Sequence, residues 1–176
     1  MILILTGPVG SGKTSFLRRL LTYLGSEGVA VAGFFGQRIF LDDELVGYDL
    51  INAANLHRHP FLRKGEASDG EDAIGPFRVD PAGQAAALDI LSASAPEALL
   101  IVDELGPLEL EGKGHWPALA PLLDGKGRHF LFIIRDACLE EFGRILNGRP
   151  HKTFSVKDRI NVSEVVREIQ ANVHPS

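Results

Sequence analysis

The stretch Gly7-Pro8-Val9-Gly10-Ser11-Gly12-Lys13-Thr14 limits what this chain can fold into more than any other. It has the spacing G-x-x-x-x-G-K-T and stands between an apolar run, Ile2-Leu3-Ile4-Leu5, and a leucine pattern of helical period. A buried strand, a glycine-rich turn and a helix in that order form a phosphate-binding loop. Glycines at 7, 10 and 12 let the backbone take positive φ angles and bring its N–H groups up to phosphate oxygens without Cβ clashes. Lys13 adds a point charge that would reach the β- and γ-phosphates, and the Thr14 hydroxyl would ligate a magnesium ion bridging them. The helix beginning near Thr14 and Ser15 aims its N-terminal dipole and unpaired N–H groups at the same anion.

Ile2 to Thr6 shows no alternation, as a parallel strand buried on both faces requires. Phe16, Leu17, Leu20, Leu21 and Leu24 recur at helical spacing, with Gly25 placed to end the helix. Val29 to Phe35 reads as a second strand. Arg38–Phe40 and Leu45–Leu50 then predict an antiparallel hairpin about the acidic turn Leu41-Asp42-Asp43-Glu44. Asn55 to Gly75, rich in His, Arg, Gly and acidic residues, reads as a long loop, and its basic members His57, Arg58, His59, Arg63 and Lys64 are candidates to close over a triphosphate. Phe77–Val79 predicts a short strand, and Asp80-Pro81 a helix start with Asp as cap and Pro in the first turn. Further on come an apolar strand at Ala98–Val102, a short helix at Pro117–Leu123, a third buried strand at Phe130–Ile134, and a helix capped by Asp136. A late strand at Thr153–Val156 and a closing helix from Asn161 complete the order. Strands alternating with helices imply a mostly parallel sheet covered on both faces, so the fold class is α/β, with the hairpin as an antiparallel addition. Ligands of such sheets sit beyond the strand C-termini, where the phosphate loop already lies.

The loop needs a partner that holds the metal. Leu99-Leu100-Ile101-Val102-Asp103-Glu104 supplies one, an apolar strand ending in acids. Asp103 at the strand tip would hold magnesium through its water shell, and Glu104 would orient and deprotonate a water attacking the γ-phosphorus. Lys13 and Glu104 are therefore the catalytic candidates, and Thr14 and Asp103 the metal-binding ones. Arg135, ending the next buried strand, is placed to sense the γ-phosphate; Arg38 and Arg159 are weaker candidates of the same kind. Trp116 is read chiefly as a packing residue and Cys138 as a small buried one.

Four stretches together resemble the THEP1-type nucleoside-triphosphatases: Gly7 to Thr14; Gly33-Phe34 with Arg38 and Gly47-Tyr48-Asp49; Val102-Asp103-Glu104-Leu105-Gly106-Pro107-Leu108-Glu109-Leu110; and Lys157-Asp158-Arg159. They span nearly the whole chain. The resemblance implies a P-loop domain with a RecA-like core and the added hairpin. It also implies slow hydrolysis of ATP, GTP and other nucleoside triphosphates with broad base tolerance. By the same resemblance, nucleotide contacts fall on the phosphate loop and on Leu100, Ile101, Val102, Asp103, Glu104, Leu105, Gly106 and Pro107. The segment from His57 to Gly75 follows the family only loosely, around Pro60 to Arg63.

At 176 residues the chain fits one domain, 1–176, with enough core to need no disulfide or structural metal. One cysteine and an N-terminus that enters the strand without a basic leader point to a cytoplasmic protein. No apolar run approaches a membrane span, and a net charge of -5 does not favour a nonspecific nucleic-acid surface. Magnesium-dependent hydrolysis is the leading reading. A nucleoside or small-molecule kinase and a nucleotide-gated switch are its rivals, and no N-K-x-D base-reading motif occurs.

Overall fold

The computed structural model describes residues 1–66, 72–125 and 127–173, and of Glu104 only the backbone. The strands are β1 (Ile2–Gly7), β2 (Val31–Leu41), β3 (Glu44–Asn52), β4 (Arg58–Lys64), β5 (Ala73–Ile74), β6 (Phe77–Val79), β7 (Leu99–Leu105), β8 (His129–Arg135) and β9 (Lys152–Ser155). The helices are α1 (Lys13–Ser26), α2 (Pro81–Ser92), the single turn α3 (Pro107–Leu110), α4 (Trp116–Asp124), α5 (Leu139–Leu146) and α6 (Val162–Val173). Among the described residues all strands join one sheet in the order β5-β6-β4-β3-β2-β7-β8-β1-β9. From β2 to β9 the pairing is parallel; from β2 outward to β5 it is antiparallel. The α/β class, the mostly parallel core and the added hairpin agree with the sequence reading.

Each central strand is buried on both faces because alternate side chains feed two separate cores. Leu3 and Leu5 of β1, with Leu131 and Ile133 of β8, pack under α1 and α6. Ile2 and Ile4, with Phe130 and Phe132, pack under α2, α4 and α5. This is why the run 2–6 carries no alternation. Phe132 meets Phe142 of α5 edge to face, with ring centroids 5.1 Å apart. Trp116 packs against the second of these cores, and Cys138 is buried in the 3-10 turn Asp136–Cys138.

Several boundaries differ from the sequence reading. Helix α1 runs through Gly25 and ends at Gly28, whose φ is +69°. The Gly28 and Val29 N–H groups donate to the Gly25 and Leu24 carbonyls, a Schellman ending that needs the left-handed residue at 28. Strand β2 is continuous to Leu41: its first residues pair with β7 and the rest turn back on β3 through Asp42 and Asp43, at φ +48° and +63°. Much of the first half of the expected long loop is a strand, β4 (Arg58–Lys64), paired with β3. Residues 67–71 of that stretch lie outside the described residues. Asp80 caps α2 as expected, accepting from the Ala82 N–H at 2.9 Å. Asp136 does not cap α5, whose first residue is Leu139.

Candidate nucleotide-binding cleft

Residues 7–14 bridge the C-terminal end of β1 and the start of α1. Gly10 and Gly12 take φ +78° and +90°. Gly7 is required for a different reason: a Cβ there would lie 2.4 Å from Val156 Cγ2 and 2.7 Å from Ser11 Oγ. The Ser11 N–H closes the loop on the Pro8 carbonyl at 3.2 Å, and α1 begins with the Phe16 N–H on the Gly12 carbonyl at 2.8 Å. Lys13 Nζ donates to the Gly7 and Pro8 carbonyls at 2.8 and 2.9 Å, so the ammonium lies inside the mouth of the loop.

Strand β8 is inserted between β1 and β7, which carries Asp103 two residues before its end at Leu105 rather than at its tip. In register Gly7 faces Arg135 and Ile133 faces Asp103. The loop strand and the Asp103 strand are therefore two inter-strand steps apart, roughly 10 Å, a gap wide enough for a phosphate and its metal, with Arg135 ending the strand between. Asp103 is 9% exposed and its Oδ2 accepts the Gly36 N–H at 3.3 Å. One residue on β7 between Asp103 and Leu105 has no partner on β8, which makes Glu104 the inserted residue of a β-bulge. Bulges beside active sites commonly re-aim a position out of the pleat; the side chain of Glu104 lies outside what is described.

The loop and Asp103 open on one cleft of about 890 Å³. Val9 through Ser15, Asp103, Gly106, Pro107, Arg38 and Arg135 line it. Thr14 and Asp103 offer a hydroxyl and a carboxylate, the hard oxygen donors that magnesium takes alongside phosphate and water. Seven of the sequence candidates do not line the cleft: Gly7 and Pro8, whose carbonyls accept from Lys13 Nζ, and five that lie elsewhere. Leu100, Ile101, Val102 and Leu105 are at most 1% exposed, because both faces of β7 are covered, and they support the site from the core. Arg159 follows the 3-10 turn Val156–Asp158 at φ +52° and is not among the lining residues. The late Lys157-Asp158-Arg159 stretch is instead fastened beneath the loop: Lys157 Nζ pairs with Asp136 Oδ2 at 2.6 Å, and Thr6 Oγ1 donates to Asp136 Oδ1 at 2.8 Å. The Lys157 ammonium and then the Thr6 hydroxyl hold the Asp136 carboxyl below its ordinary range.

The five basic residues expected to close over a triphosphate are engaged elsewhere. Arg63 pairs with the buried Asp49 at 2.5 Å, Arg58 with the same carboxylate at 3.4 Å, and Lys64 with Glu44. The His57 and His59 rings stack edge to face at 4.7 Å, and none of the five lines the cleft.

Of the other wall, sequence reasoning named only Arg38 as a site candidate. Phe34, Gly36 and Arg38 share one face of β2, and Tyr48 and Leu50 share the matching face of β3; all line the cleft. The i, i+2 spacing was the available signal. Glu109, 7% exposed, ties the turn after β7: its Oε2 accepts the Gly106 N–H at 3.1 Å and its Oε1 the His115 N–H at 3.4 Å. Gly114, at φ +58°, must be glycine because a Cβ would lie 2.3 Å from Glu109 Oε1. His115 is 5% exposed, its Nδ1 is buried without a hydrogen-bond partner among the described residues, and its ring packs against Phe34 and Phe61 at 4.9 and 5.4 Å. Burial pushes its pKa down to about 4, so the imidazole is neutral at pH 7.

Comparison with known proteins bears on the family and the fold. A family model described as NTPase matches residues 2–170. A cancer-related nucleoside-triphosphatase homolog of Bos taurus is 30% identical over 183 residues, covering 96% of each chain. The nucleoside-triphosphatase THEP1 of Ignicoccus hospitalis is 26% identical over 89% of this chain and 88% of its own. Among solved structures, the solution structure of a human cancer-related nucleoside triphosphatase superposes with a TM-score of 0.73 at 27% identity, covering 96% and 97% of the two chains. The crystal structure of THEP1 from Aquifex aeolicus shares the fold, with a TM-score of 0.76 at 17% identity over 97% and 99%.

Proposed function

Because the chain belongs to the NTPase family, matched from residue 2 to residue 170, we propose that it hydrolyses nucleoside triphosphates to diphosphate and phosphate, with magnesium, broad base tolerance and slow turnover. The observation that carries this reading is the phosphate loop and Asp103 facing one cleft across the inserted strand β8. The loop amides and the α1 N-terminus would cradle the phosphates. Lys13, now bonded to the Gly7 and Pro8 carbonyls, would exchange them for phosphate oxygens, adding charge where it develops in the transition state. Thr14 and Asp103 would hold magnesium, which when bound offsets the charge of the leaving diphosphate. The Gly36 N–H fixes Asp103 for that task. Glu104 would take the proton of the attacking water, a contribution typically of about 10²- to 10⁴-fold. Arg135 and Arg38 would meet the γ-phosphate from the cleft wall. Tolerance of the base follows from recognition through backbone amides that touch phosphate alone.

Phosphate release from ATP, GTP, CTP and UTP, with and without magnesium, tests the reading in wild type and Glu104→Gln. Magnesium-dependent release from several nucleotides, lost in the variant while binding is kept, is the expected result. Release that ignores magnesium, or an equally active variant, would overturn the assignment of Asp103 and Glu104.

A further inference from the structure

A second groove, of about 580 Å³, runs along α2 and shares no lining residue with the nucleotide cleft. Ala32, Ala86 and Ala93 are among its walls, and His57, His59 and Asp89 bring it two imidazoles and a carboxylate. His57 and His59 are two residues apart at the start of β4, so both rings stand on one side of the sheet. Arg58 between them takes the other side, where it pairs with Asp49 at 3.4 Å and donates to Gln37 at 3.3 Å. Its positive charge is thus directed away from the imidazoles and offset by a carboxylate.

The two ring centroids are 4.7 Å apart and the rings are inclined by 65°. A metal ion held about 2.0–2.1 Å from one nitrogen of each ring, with an angle of about 90–110° between the two bonds, puts the centroids about 4.5–5.2 Å apart. The observed separation falls inside that range, so rotation of the rings alone brings a nitrogen of each onto a common ion. Among the described residues neither imidazole has a hydrogen-bond partner, which leaves the ring nitrogens available as ligands. The backbone that carries them is fixed. The His57 N–H donates to Asn55 Oδ1 and its carbonyl accepts the Asn52 N–H, both at 2.9 Å, and His59 pairs with Leu50 of β3. Ligating side chains on a rigid ribbon lose little further freedom when an ion binds.

We propose that His57 and His59 form a chelating site for a divalent transition metal of the imidazole-preferring class: copper(II), nickel(II) or zinc. No third His, Cys, Asp or Glu completes a ligand set among the described residues, so the other coordination positions open on the groove and take water or an outside ligand. Asp89 adds a negative charge to the same groove. Magnesium does not compete for this site, because it takes hard oxygen donors in place of imidazole. Copper(II) binds tightest of the three, as nitrogen ligands dictate. The folded chain holds the two rings together and the unfolded chain does not, so the ion also stabilises the fold.

The test uses the whole chain without an affinity tag, in a non-chelating buffer that contains magnesium. Zinc chloride is titrated in by calorimetry, and copper(II) is added at one equivalent for electron paramagnetic resonance. The expected results are one zinc ion per chain and a copper signal split by two nitrogen nuclei. His57→Asn and His59→Asn should each weaken zinc binding by about tenfold or more and reduce the splitting to one nitrogen. Zinc should raise the midpoint of urea unfolding in wild type and leave it unmoved in either variant. Zinc affinity unchanged in both variants would overturn the proposal, since the ion would then sit on other groups. A wild-type copper spectrum without two-nitrogen splitting would overturn it too, and that measurement depends on no variant folding correctly. Failure of zinc to bind wild type at all has the same consequence.

Discussion

Lowering the pH from about 6.5 to about 4 is expected to destabilise this protein through one imidazole. His115 is 5% exposed and packed against Phe34 and Phe61, and burial moves its pKa from 6.5 to about 4. The unfolded chain therefore takes up a proton near pH 6.5 that the folded chain refuses until about pH 4. A group whose folded pKa lies below its unfolded one binds fewer protons in the native state, so stability rises with pH through that window and falls as pH drops. Each pH unit is worth about 1.36 kcal/mol, so the loss approaches about 3 kcal/mol at pH 4 and then levels off. Urea unfolding across pH 4 to 7.5, in wild type and His115→Phe, isolates this contribution. The remaining carboxylates, and His129 with its own lowered pKa, titrate alike in both proteins and cancel. The wild-type curve should drop below the variant's by about 3 kcal/mol between pH 7 and pH 4. Parallel curves would refute the buried, neutral imidazole.

Other perturbations probe the remaining elements. Lys13→Ala should lose nucleotide affinity and hydrolysis together, measured by calorimetry and phosphate release, with its thermal unfolding little changed; intact affinity would remove Lys13 from phosphate binding. Asp103→Asn should raise the magnesium concentration needed for half-maximal activity by about tenfold or more, read from a metal titration. Gly33→Ala should cost several kcal/mol in urea unfolding: Gly33 is at φ +94° and a Cβ would lie 1.9 Å from the Ile101 carbonyl oxygen. Gly83→Ala should also destabilise, since its Cβ would lie 1.9 Å from the Pro60 carbonyl oxygen, where α2 rests on β4.

The parts of the molecule legible in the sequence are those whose cause is local. The phosphate loop could be read because eight consecutive residues carry both the backbone freedom and the charge that phosphate demands. The central strands could be read because burial on both faces leaves an unbroken apolar run, and the α2 start because Asp80 and Pro81 act within one turn. The tight turn at Asp42-Asp43 was visible for the same reason.

What stayed hidden depends on residues far apart in the chain. Strand β4 reads as loop from sequence because Arg58, Arg63 and Lys64 look solvated until β3 supplies Asp49 and Glu44 as partners. Arg159 reads from sequence as a weak γ-phosphate candidate, and only the tertiary structure shows that its neighbour Lys157 pairs with Asp136 beneath the loop. Leu100, Ile101 and Val102 adjoin Asp103 in sequence, yet the strand's two covered faces keep them from the cleft. The chain alone determined that residues 7–14 carry a phosphate-loop pattern and that Asp103 follows a buried apolar run. Tertiary structure alone decided that β8 lies between them and that Phe34, Tyr48 and Phe77, from three strands, line one cleft, because strand order and cross-strand neighbours arise from long-range packing that no local pattern encodes.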